Sequence, residues 1–492
     1  MRFIGPLSRL GVVGVSIATA VVLATPSAYA NVSLTQVSND PYSDAQAQHQ
    51  TQVGPDTYQF GNTIVAAFQS GRVFGGGASN IGFATSTDGG ATWTRGFLPG
   101  ITANGSPAGV YQQASLPSVT FDAKHNVWLI SSLGLRSSSS DVLTSRSTDG
   151  GLHWSNPVTT ATGDLDKNWI VCDNNAASAF YGNCYTQYDV LPFNDLRMRR
   201  SLDGGLTWGA AQATGDGAEG VGGQPLTRNS GTVLVPYLDV VFGDIGSFRS
   251  VDGGASWRAT VSVSGPISHH TVAGGLREDP LPSAELDGPG TAYVVWSDCR
   301  FRSNCTSNDI VMAKSTSETT WGPVTRIPID PVTSAVDHFT PGIAVDRTSG
   351  GGSARIGVTY YFYPNANCSS STCQVSVGFI SSTNGGTSWS APTQIAGPMP
   401  ISWFPNTSQG RLFGDYISTS IQPGGNAFAV IPVATAPVSG SFRVPMTVPT
   451  GGMPITGGSV AAQVQGFSAT SAKTATATDT RNPSGGAPGD FR

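Results

Sequence analysis

Short apolar runs recur along the chain, separated by clusters of Gly, Ser, Thr, Asn and Asp. Residues 80–85, 142–146, 310–314 and 375–380 form one set, and 127–131, 233–237, 293–296 and 357–361 a second. A third set occupies 56–60, 117–121, 168–172, 223–226, 282–286, 341–345 and 415–420, four of them directly ahead of a second-set run. Alternating or short continuous apolar runs bounded by turn residues predict strands buried on one or both faces. Long runs of Ala, Leu, Glu and Lys are missing, so a helical bundle is excluded. The pattern predicts an all-β protein.

The two ends read differently. Residues 10–23 are apolar, follow Arg2 and Arg9, and stop before Pro26 and the small residues Ala28 and Ala30. This predicts a secretory signal peptide over residues 1–30, cut after Ala30, and a secreted, extracellular protein. The run is too short to span a bilayer comfortably, and no later stretch could, so no membrane partner is expected. Beyond Gly457 the composition collapses into Ala, Thr, Ser, Gly and Pro, which predicts a disordered tail over 457–492. One domain, 31–456, lies between.

That domain carries an internal repeat. Ser86-Thr87-Asp88-Gly89-Gly90-Ala91-Thr92-Trp93 returns, little changed, at 147–154, 201–208 and 250–257. A copy at 382–389 has Asn384 for Asp, and 315–321 is a shortened one. Asp followed by two glycines is turn chemistry: the carboxylate accepts backbone N–H groups and the glycines take positive φ. The Trp closes the turn. This string is the Asp box, and on it the chain resembles the bacterial neuraminidase repeat family, a sialidase-like superfamily of β-propellers. The resemblance implies four-stranded antiparallel blades with each box joining the two outer strands. Boxes recur about every 59 residues between Asp88 and Asn384, so residues 31–456 hold about seven units. A seven-bladed propeller is preferred to a six-bladed one. Residues 427–434 and 441–448 supply strands for the last blade, and 31–38 its fourth, which closes the ring and removes free edges.

Charge narrows the function. Lys and Arg total 26 against 31 Asp and Glu, with no basic excess, so nucleic acid is not expected as a partner. The six cysteines form three close pairs, Cys172 with Cys184, Cys299 with Cys305 and Cys368 with Cys373, and secretion makes neighbour disulfides the expected pairing. No spacing resembles a zinc ligand set. No cofactor is expected, although a structural calcium among the Asp-rich loops stays open. A monomer is expected.

Loops that lead into the first strands converge on one face of such a fold, where a ligand would sit. His269, His270 and His338 lie there and are candidate acids or bases. Glu278, Asp298, Asp415 and Tyr416 are further catalytic candidates. Arg277, Arg300, Arg411, Asp166, Lys167 and Asp337 are candidate substrate-binding residues. Glycoside hydrolysis needs two carboxylates around one bond, and an acidic sugar suits arginine forks. The family resemblance implies glycan substrates but not one reaction. Sialidases proper have six blades, an early X-Arg-Ile-Pro string, an arginine triad and a Tyr–Glu pair. Here the only similar strings, at Arg326 and Arg443, fall late. A triad of Arg277, Arg300 and Arg411 with Tyr416 and Glu278 rests on assumption. Three readings follow: a sialidase-like exo-glycosidase on an acidic or complex glycan, a uronate polysaccharide lyase with a His base, and a non-catalytic glycan- or protein-binding propeller.

Overall fold

The computed structural model describes Met1 and residues 32–464. The expected signal segment therefore lies outside the described residues, as does the tail from 465 onward.

The described chain is almost entirely strand and turn, and its antiparallel pairings are grouped below in chain order, the first two groups joining in one eight-stranded sheet and the last lying in two separate sheets. The first pairs Gln52–Phe60, Thr63–Arg72, Ala78–Ser86 and Thr94–Phe97 in sequence order. The second runs through Gln113–Asp122, Val127–Leu135, Ser140–Ser147 and Val158–Ala161. The third comprises Leu165–Cys172, Cys184–Val190, Asp195–Ser201 and Gln212–Ala213. In the fourth, Gly220–Val221 and Leu226–Thr227 both pair with Val233–Asp239, followed by Asp244–Ser250 and Val261–Pro266. Ser283–Leu286, Ala292–Asp298, Asp309–Ser315 and Thr325–Arg326 make the fifth. Asp337–Val345, Ile356–Tyr363, Gln374–Ser382 and Thr393–Pro400 make the sixth. The last joins Thr419–Ile421 to Ala427–Ala429, and Ile431–Pro432 to Met446–Pro449. Its outer partner is Leu34–Gln36, from the other end of the chain. This all-β arrangement agrees with a β-propeller. No helix among the described residues is long and apolar enough to cross a membrane.

Middle strands such as Val127–Leu135 are buried along their whole length, which is why they read as continuous apolar and small residues rather than as alternation. The repeated string forms the turn between third and fourth strands. Ser147 Oγ donates to Asp149 Oδ1 at 2.8 Å, and that oxygen also accepts the His153 amide at 3.0 Å. Gly150 and Gly151 sit at φ 83° and 82°, where a side chain would be strained. The turns also lace neighbouring groups together. The second glycine's carbonyl accepts from Thr85 at Gly151, while Arg146 donates to Gly204, Arg200 to Gly253 and Lys314 to Gly385. The closing Trp packs beneath, and Trp389 is fully buried with Nε1 donating to the Gly386 carbonyl at 3.1 Å.

The three disulfides pair as expected from spacing. Residues 457–464, assigned to the tail by composition, carry two short strands: Val460–Ala461 pairs with Ser388–Trp389, and Gln463–Val464 with Thr325–Arg326. Backbone hydrogen bonding to two edges holds a segment whose side chains offer little burial.

Candidate active site

The first strands do not run smoothly. Register slips between Val53 and Asp56, Ser115 and Ser118, Asp166 and Trp169, and Phe339 and Gly342. At each slip one residue takes positive φ: Gly54, Leu116, Lys167 and Thr340 at 63°, 44°, 46° and 46°. Three of these are not glycine, so the conformation is imposed by the surrounding packing. Pro follows Gly54, Leu116 and Thr340, and its missing N–H suits a bulge. Two of the bulges, at Lys167 and Thr340, border a narrow cleft of about 20 Å³ that is also lined by Trp169, Gln224, Asp415 and Tyr416.

Asp415 anchors this cleft. Its Oδ2 lies 2.5 Å from Lys167 Nζ and 3.1 Å from Arg277. Burial opposes ionisation, but Arg277 and Lys167 outweigh it and hold the carboxyl down at about 2. Arg72, fully buried nearby, has its guanidinium pulled to about 9 by burial and by Arg277. Asp166 behaves in the opposite way. Burial pushes it up to about 6, against Lys167 and Arg277. Directly across the strand pair stands Asp189, which burial and Asp166 drive well above the carboxylate range. Tyr416 donates to the Pro117 carbonyl at 2.7 Å, and its ring meets Trp169 edge-on at 5.0 Å.

A second cluster lies alongside. His269 Nε2 is 3.0 Å from Glu278 Oε2, and Ser297 Oγ donates to Glu278 Oε1 at 3.1 Å. Burial works against protonation of His269, but Glu278 more than offsets it and the imidazole rises. Asp337 accepts the Asn308 amide at 2.7 Å, yet burial still lifts it to about 7. The two clusters adjoin through Asp279, whose carboxyl burial raises and which feels Lys167, Glu278 and Asp415.

The remaining candidates are held elsewhere. His270 is tied by its backbone to Asn308, and burial lowers its pKa. His338 is buried between Tyr360 and Phe362, with Nδ1 3.2 Å from the Asn308 carbonyl. Arg300 donates to Asp298 and to the Ser264 and Pro266 carbonyls, and Trp296 Nε1 completes the shell of Asp298. That pair fixes a loop. Arg411 meets Arg277 through a backbone hydrogen bond, and its guanidinium donates to the Phe404 carbonyl. The structure thus brings together Asp166, Lys167, Arg277, Asp415 and Tyr416, and separately His269, Glu278 and Asp337. The charges felt by Tyr416 are those of Asp56, Asp415 and Asp166, not Glu278. Arg326, in one of the two late strings, is buried with Arg302 against Asp309 and Asp330. Those carboxylates and His338 have metal-ligand spacing, but the two guanidiniums already supply their counter-charge.

Sequence reasoning missed Arg72 and Asp189. The residue-Pro step at the Gly54, Leu116 and Thr340 bulges was the available signal for the irregular first strands.

No family model matches the chain, and no curated protein matches it. Among solved structures it is similar to an intramolecular trans-sialidase from Ruminococcus gnavus, at 15% identity over 83% of this chain and 96% of that one, TM-score 0.40. It is also similar to a Streptococcus pneumoniae sialidase, at 14% identity over 88% and 72%, TM-score 0.43. An α-L-arabinofuranosidase from Fusarium graminearum matches at 14% identity over 72% and 97%, TM-score 0.42. With scores this low, the fold assignment rests on the strand pairing described above.

Proposed function

We propose that the chain is a secreted, closed, seven-bladed β-propeller that hydrolyses glycosidic bonds at the bulge-lined cleft, as a sialidase-like exo-glycosidase on an acidic or complex glycan. One observation carries the reading. Asp166 and Asp415 flank Lys167 and are driven to opposite protonation states, one up to about 6 and the other down to about 2. Carboxyls split in this way suit the proton donor and the ionised carboxylate of a glycosidase. Asp166 Oδ2 is buried behind Lys167 with no hydrogen bond among the described residues. Asp415 stays negative and faces charge developing at the sugar carbon. Lys167 and Arg277 favour a substrate carboxylate at the same mouth. Trp169 and Tyr416 offer aromatic walls. A histidine base has weaker support, because Glu278 holds His269 toward its protonated form and His338 is enclosed.

The test is a panel of fluorogenic sialosides, uronides and neutral glycosides. Turnover is expected with an acidic sugar and to fall as pH rises past about 6 with Asp166 ionising. Asp166→Asn and Asp415→Asn should each lower kcat by about 10²–10⁴-fold, while His153→Ala, on an exposed turn, should not. Full activity in both Asn variants, or glycan binding with every substrate inert, overturns the proposal. The second result would leave the binding propeller.

A further inference from the structure

We infer that the far ends of the first strands form a second binding site, separate from the cleft and built for a carboxylate-bearing ligand. A cavity of about 380 Å³ lies there, with Tyr58, Phe60, Asn174, Glu285, Arg347 and Thr419 among its walls. It is on the side of the Asp-Gly-Gly turns, since the Gly89 amide bonds the Asn62 carbonyl just beyond Phe60. The bulges and Asp415 lie at the opposite ends of the same strands.

Arg347 is the unusual residue. Most buried or half-buried guanidiniums here spend their donors on protein oxygens; neighbouring Arg355 bonds Asp346 at 2.8 Å and the Gly425 carbonyl at 2.8 Å. No hydrogen bond from the Arg347 side chain occurs among the described residues, and its nearest charge, Glu285, is 3.8 Å away. The side chain is 41% exposed, toward the cavity. A planar fork of N–H donors matches a carboxylate in two-point contact. Tyr58 adds a second donor. Its oxygen accepts from Asn174 Nδ2 at 3.3 Å, which leaves the hydroxyl proton free, and burial keeps the phenol protonated. Phe60, 40% exposed and packed on Phe121 at 4.4 Å, offers an apolar face beside these groups. The amides of Asn174 and Asn229 tie neighbouring groups together around the rim and hold it open. Glu285 competes with the ligand for Arg347, so its removal should help binding. A sugar acid and a free organic acid share the required chemistry.

Calorimetric titration of the full chain with glucuronate, succinate and neutral glucose tests this and needs no turnover. Saturable binding of glucuronate, of succinate, or of both is expected, without binding of glucose; which acid binds identifies the source. Arg347→Gln should weaken binding at least tenfold, and Arg347→Lys several-fold by keeping charge but losing the fork. Glu285→Gln should tighten it several-fold. The responses of Arg347 and Glu285, neither of which lines the cleft, separate this site from it whether or not the chain proves to be a hydrolase. Unchanged thermal melts confirm that the variants fold. Absence of saturable binding by either acid overturns the inference, as does equal binding of glucose or wild-type affinity in folded Arg347→Gln.

Discussion

Asp56 shows how one buried carboxyl writes a pH dependence into this protein. It is 2% exposed and accepts the Val119 amide at 2.7 Å, and burial lifts it to about 7. The folded chain therefore holds a proton between about pH 4 and 7 that the unfolded chain has lost. Stability from this group is present below pH 4 and declines as pH rises through that window, by up to about 1.4 kcal/mol per pH unit. Asp166 and Asp337 act with the same sign. Asp415 acts oppositely, and its contribution disappears only as pH falls from about 4 toward 2. Thermal melts from pH 4.5 to 8 should show Tm decreasing with pH, and Asp56→Asn should flatten the slope. A slope unchanged in that variant would mean that Asp56 is not the group titrating. Residues of this kind are hard to read from sequence. Asp56 follows Gly-Pro like many turn aspartates, and only burial makes it a titrating group.

Elements with their own local chemistry were the easiest to read. Ser-x-Asp-Gly-Gly turns appear where the repeat puts them, because carboxylate, hydroxyl and glycines act within five residues of one another. Second strands were also legible, since burial on both faces leaves a plain apolar run. First strands were read short: 117–121 lies toward the end of Gln113–Asp122, and 341–345 at the end of Asp337–Val345. Proline looks like a boundary, yet here it sits at an in-strand bulge, where no N–H is required. In the last group, 415–420 shortens to Thr419–Ile421 because residues before it belong to the cleft. Among the box tryptophans, Trp389 is one of the largest fully buried side chains of the described residues. Trp389→Ala should cost roughly 3–5 kcal/mol in urea unfolding, through lost burial and the lost bond to Gly386. A cost under about 1 kcal/mol would show that the turn holds without its Trp.

At the scale of the whole molecule, the two ends of the chain meet. Leu34–Gln36 lies antiparallel to Met446–Pro449, and the Val37 amide donates to the Met446 carbonyl at 2.9 Å. Val37 is 1% exposed. Deleting 32–37 removes that burial and bares an edge, and should lower stability by about 3 kcal/mol or more. Hydrogen exchange at 446–449 should rise in parallel. Unchanged exchange there would show that the N-terminal strand is dispensable. The described part of the tail spans the outer edges of the fifth and sixth groups, a placement its composition could not suggest.

What the amino-acid order alone determined is what short-range chemistry can carry: strand-rich architecture, repeated turns, near-neighbour disulfides and the set of charged loops. Which charges meet was decided by the assembled fold. Lys167 reaches Asp415 across 248 residues of chain, and Tyr416 reaches Pro117 across 299. Arg300, next door to Asp298, instead satisfies its own neighbour. A side chain's partner is set by how whole sheets pack around it, and burial then sets its protonation. Neither quantity is a property of any local stretch of sequence.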